Sequence, residues 1–163
     1  MIILKMVDME NSKTKTVEIL NSLVEVNNDR IQGYETAIQE AKDSQLKVEF
    51  SLFIVTSKRC VKELCDEIKR LGGSPIGLNK TSGKFFKLWM DLEKTISENL
   101  NQALLDSCVF REDIAIGNYD DWLIEDVENE VDERHNMMIR TQRTELHRER
   151  EKLKALREHI CSS

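Results

Sequence analysis

The chain has one proline, Pro75, and six glycines in 163 residues. Few positions therefore force a helix to stop, and a loop-rich or β-rich fold is excluded on composition. No apolar run approaches the ~18–20 residues that cross a bilayer. The opening MIILKM already contains Lys5 and is followed by Asp8 and Glu10 rather than by a cleavage site, so the cytosol is the expected location. A basic excess is also lacking: the net charge is −6, which argues against nucleic acid as a partner. The four cysteines (Cys60, Cys65, Cys108, Cys161) form no CxxC pair, and are expected as reduced, mostly buried thiols. Gly72-Gly73 follows a helix pattern instead of opening one, so no phosphate-cradling loop is present. The three histidines are too scattered for a Ser-His-acid arrangement.

What remains is helix periodicity. Val17, Leu20, Val24, Asn27, Ile31, Tyr34, Ile38 and Ala41 recur at spacings of three and four, a seam that predicts a first helix from Thr14. Residues 1–13 read as a flexible leader, and 14–161 as a single domain. Asp43 or Ser44 can cap a second helix, whose seam is Leu46, Phe50, Phe53, Ser57, Cys60 and Leu64. Gly72-Gly73-Ser74-Pro75 ends it. Thr81 or Ser82 can open a short helix carrying Phe85, Phe86, Leu88, Trp89, Leu92 and Ile96. Asn99 and Gln102 resemble a capping box for a third long helix, with Leu105, Cys108, Glu112, Ala115, Tyr119 and Trp122 as its seam. Gly117 and Asn118 blur its end. The fourth helix is predicted over about 125–160, acidic first and basic last, which complements the helix dipole.

Short links make the first and second helices, and the third and fourth, antiparallel neighbours. The long 72–98 connection leaves two topologies. One is the ferritin-like antiparallel four-helix bundle, with the extra short helix in its crossover. The other is a plain up-down bundle with that helix across one end.

Several segments in order carry a resemblance: Leu20-Asn21-Ser22-Leu23, Asn28-Asp29-Arg30, Gly33-Tyr34-Glu35, Arg70-Leu71-Gly72-Gly73-Ser74-Pro75 and Trp89-Met90-Asp91-Leu92. Ser107-Cys108, Glu112-Asp113, Tyr119 and Lys154-Ala155-Leu156-Arg157 complete the series. Over residues 17–158 the chain resembles an uncharacterised bacterial family of ferritin-like four-helix-bundle proteins. The resemblance implies the fold and brings no activity with it. Val109 and Arg111 depart from the family pattern of a Glu and a Gly around the residue before Glu112-Asp113. Thr56 and Arg59 stand where its second helix carries glutamines, and Arg150 near its histidine.

Ferritin-like di-metal centres take two Glu-x-x-His motifs. This chain has none, only Asp132-x-x-His135. Yet Glu112 lies on a seam, Glu35 flanks one, and His135, Gln142 and Glu149 repeat at seven residues. A turn near 123–124 would bring Glu112 level with His135. A buried carboxylate needs a partner: His135, Gln142, Tyr34, an arginine such as Arg30, or a metal. Two readings follow. In the first, the polar residues fix helix register in a non-catalytic binding, structural or stress-associated protein. In the second, Glu35, Glu112 and His135 form a degenerate iron or manganese site. At about 36 residues, or ~54 Å, the fourth helix would outrun its partners and expose Leu153, Leu156 and Ile160, suggesting a homo-oligomer formed through it.

Overall fold

The computed structural model describes residues 2–77, 100–129 and 133–161. Among them are four helices and no strand: α1 (Ile2–Glu40), α2 (Ser44–Arg70), α3 (Leu100–Asn129) and α4 (Glu133–Cys161). The expected short helix at 81–98 and the Asn99 cap lie outside the described residues. No described helix is long and apolar enough to cross a membrane.

The α1–α2 link is set by Asp43. Its extended backbone breaks the helix, and its carboxylate accepts from the Gln45 and Leu46 amides at 2.8 and 3.1 Å. At the other end of α2, Gly72 takes φ +80°. The Gly72 and Gly73 amides then donate to the Lys69 and Ile68 carbonyls, closing the last turn. Gly73 has a second role. A Cβ built there would stand 2.7 Å from both γ-carbons of Val17. Val17 is β-branched and stiff at χ1. Gly73→Ala is therefore expected to cost about 1–3 kcal/mol in a urea titration, through overpacking of the α1–α2 contact.

The core divides into two apolar clusters. One holds Tyr34 and Ala37 of α1, Ala41 just past its end, Leu46, Phe50 and Phe53 of α2, Leu104, Leu105 and Cys108 of α3, and Leu153 and Leu156 of α4. The other holds Leu20 and Leu23, Val61 and Leu64, Ala115 and Tyr119, and Ile139 and Leu146. Each helix passes from one cluster to the other. Between them every helix contributes polar residues: Asn27 and Arg30, Ser57, Glu112, and Gln142 and Glu149.

Three boundaries differ from expectation. α1 is helical from Ile2, but every side chain from Ile2 to Lys15 is exposed. Thr14 therefore marks roughly where burial begins, not where the helix begins. α3 continues through Gly117 and Asn118 to Asn129, and α4 starts only at Glu133. Leu153 and Leu156 consequently fall inside the first cluster and Ile160 packs against it, where an exposed end had been expected.

Candidate polar centre

The level of α4 against α3 is marked by ion pairs at seven-residue intervals. Arg157 meets Asp106 at 2.9 Å, Arg150 meets Asp113, and Arg143 meets Asp120 at 2.5 Å. This ladder places Glu112 level with Glu149. The turn expected at 123–124 is absent: the helix runs through Gly117 without a break and on to Asn129.

Arg30 holds the centre. Its Nε donates to both Glu112 oxygens at 3.1 and 3.2 Å, and its Nη2 to Glu112 Oε1 at 2.8 Å. The same Nη2 donates to Glu149 Oε2 at 2.9 Å, and Nη1 to Ser57 Oγ. Tyr34 donates its hydroxyl to Glu112 Oε1, and its ring lies 5.5 Å from the Arg30 guanidinium carbon. Phe50 and Phe53 pack on that ring with centroids 5.4 and 5.3 Å away. Arg30 and Glu112 are each 1% exposed. Bidentate, charge-assisted contacts are what make such burial tolerable.

A second polar tier lies one turn away along α1 and about two turns away along the other three helices. Asn27 donates to the Tyr119 hydroxyl at 2.8 Å, and Tyr119 donates to Gln142 Oε1 at 2.7 Å. Gln142 Nε2 reaches Glu63 Oε2 at 3.2 Å. Again each helix supplies one member. Burial raises the pKa of both tyrosines well above the usual phenol value, so both stay protonated donors. Burial would also lower Arg30, but Glu112 and Glu149 outweigh it and hold the guanidinium charged. Burial pushes the Cys60 and Cys108 thiols up to about 12, which leaves them unreactive.

Glu149 is the adjustable group. Burial raises its pKa from 4.5, against the opposing pull of Arg30 and Thr56, while Glu112 adds to the rise. Folding therefore favours its protonated form. Between about 4.5 and the raised value the folded state binds more protons than the unfolded one, so this group's contribution to stability falls as pH rises through that window. Glu149→Gln should remove that slope while keeping an acceptor for Arg30. The check is urea midpoints of both proteins across pH 4–8, approximately the carboxylate-to-neutral range.

The structure separates the three candidate metal residues. Glu112 is engaged by Arg30 and Tyr34. His135 is buried against Glu67, Nε2 to Oε1 at 2.6 Å, with its Nδ1 buried and unpartnered. Fourteen residues separate His135 from Glu149, about 21 Å along α4. Glu35 is exposed, lining an outer groove of about 710 Å³ between α1 and α2 with Gln32, Lys58 and Lys62. Glu35, Glu112 and His135 therefore do not converge, and among the described residues no three His, Cys, Asp or Glu side chains group to hold a metal. The donor set at the centre does not fit an iron or manganese ion either, because a guanidinium already lies among its oxygens. Arg30 was one of several partners that the sequence allowed Glu112. Ser57, Gln142 and Glu149 were visible as seam or heptad positions, but nothing in the sequence aligned them to one level.

The fold and this centre define an all-helical protein whose core is divided by a buried, internally paired polar layer. The chain belongs to the family described as Domain of unknown function (DUF2383), whose model matches residues 15–125. No curated protein matches it. The match begins where α1 becomes buried and ends within α3, so it includes Arg30, Tyr34, Ser57 and Glu112 but not Glu149.

Proposed function

We propose that the protein is a ferritin-like antiparallel four-helix bundle acting as a non-catalytic binding or structural protein, with its polar layer serving as architecture. Support for the ferritin-like topology comes from the core: α2 ends and α3 begins at opposite ends of it, as a long crossover requires. The role is carried by one observation. The polar groups of the layer are bonded to each other across four helices, with Arg30 tied to Glu112, Glu149 and Ser57. Such a layer fixes helix register. The competing reading, an iron or manganese protein, makes a different prediction. Protein from cells supplied with iron, manganese and zinc should carry no metal above background in elemental analysis. Stoichiometric metal that disappears in Glu112→Gln would establish the competing reading instead.

The binding face is at the start of α1. Ile2, Ile3, Leu4, Met6, Val7 and Met9 are 48–77% exposed. Ile2, Met6 and Met9 continue the buried Thr16, Leu20, Leu23 seam in phase, interrupted only by Lys13. Gly73, just past the end of α2, lies against Val17, so α2 stops where this overhang of about 21 Å begins. Its charges are mixed (Lys5, Asp8, Glu10, Lys13, Lys15), which permits pairing with the same segment of a second copy. Light scattering after size exclusion should give a dimer that Met6→Glu/Met9→Glu reduces to monomer. A wild-type monomer at all concentrations would remove self-association.

A further inference from the structure

Three helices bring oxygen donors around one buried cation, and that cation is a side chain of the fourth. Glu112 comes from α3, Glu149 from α4 and Ser57 from α2, and all three bond the guanidinium that α1 delivers. We infer that Arg30 stands in the place of a divalent cation, and that its removal turns this layer into a binding site for a hard, oxygen-preferring metal ion.

Three features lead there. Arg30 is bonded to both oxygens of Glu112, the side-on approach that a carboxylate also offers a metal. The donors are carboxylate and hydroxyl oxygens, the chemistry that selects manganese, magnesium or calcium over softer ions. The charge is also unbalanced: two carboxylates face one guanidinium, whereas a divalent ion would match them. Tyr34, donating to Glu112 Oε1 and wedged between Phe50 and Phe53, holds that carboxylate in place whatever the cation. Shortening Arg30 to alanine vacates the centre without touching a donor.

The inference does not depend on the α1 overhang. It agrees with the closed-core reading in predicting that the native chain takes up no metal. The test uses the full chain with Mn²⁺ as the probe, comparing wild type, Arg30→Ala, Arg30→Lys and Arg30→Ala/Glu112→Gln/Glu149→Gln. In EDTA, Arg30→Ala should melt well below wild type. Saturating Mn²⁺ should raise its midpoint by about 5 °C or more, and desalted protein should retain stoichiometric manganese. Wild type, the lysine variant and the triple variant should show neither effect. An Arg30→Ala protein that ignores Mn²⁺, or a triple variant that responds equally, overturns the inference. If Arg30→Ala is unfolded in EDTA, the readout becomes helicity by circular dichroism on refolding with Mn²⁺. Failure to recover it there also overturns the inference, because a competent donor set must be rescued by its ion. Metal bound by wild type would instead refute the closed-core reading.

Discussion

Arg30→Met should destabilise the protein by about 3–5 kcal/mol in urea denaturation in the presence of EDTA, the usual cost of stripping one partner from a buried ion pair. Methionine replaces the aliphatic stem but leaves Glu112 and Glu149 facing each other with no cation between them. The loss should shrink when a second change removes the stranded charge. Arg30→Met/Glu112→Met is thus expected to be more stable than Arg30→Met alone, a coupling that a double-mutant cycle reads directly. If the double variant is instead the sum of two separate losses, the Arg30–Glu112 contact is not what holds the layer together.

Phe50→Ala should cost a comparable amount, about 3–5 kcal/mol, by a different route. Phe50 is fully buried and stacks on Tyr34. Its loss opens a cavity in the first apolar cluster and removes one wall of the pocket that orients the Tyr34 hydroxyl. The two variants are separable by pH. Arg30→Met strands the Glu112 and Glu149 charges, so its penalty should ease as pH falls and Glu149 takes up a proton, while the Phe50→Ala cavity should cost the same throughout. Parallel pH curves for the two would show that Arg30 acts chiefly as packing.

Much of this architecture is readable from the helix seams. Leu20, Val24, Asn27 and Tyr34, and equally Leu46, Phe50, Phe53, Ser57, Cys60 and Leu64, are buried as their spacing requires. Asp43 and Gly72 act as the stop signals that their chemistry makes them. Glu112 declared itself by standing on an apolar seam. Which residue faced it did not, because the answer depends on where α3 turns. A glycine in a helix weakens it by about 1 kcal/mol, and packing of Ala115, Ile116 and Tyr119 around Gly117 outweighs that. Running α3 on to Asn129 then slides α4 by about fourteen residues, nearly four turns, so that Glu149 and not His135 arrives opposite Glu112. The same shift draws Leu153 and Leu156 into the core and moves the exposed apolar surface to the other end of the chain's helices. Local pattern fixes which face of a helix is buried; the height of that helix against its neighbours is decided by long-range packing that no single helix encodes.

Neither helical hairpin can satisfy the layer by itself. The α1–α2 half carries the guanidinium with Tyr34 and Ser57, and the α3–α4 half carries both carboxylates. Each half is built from contacts close in sequence, the kind that form fast. Their meeting is where a cation loses water and two anions lose theirs, and a slip of one turn would set Arg30 against Val109 or Ala115 instead of Glu112. The layer thus acts as a proofreading step in assembly: two quickly made halves can close on each other at one height, and the penalty for any other is an arginine with nothing to hold.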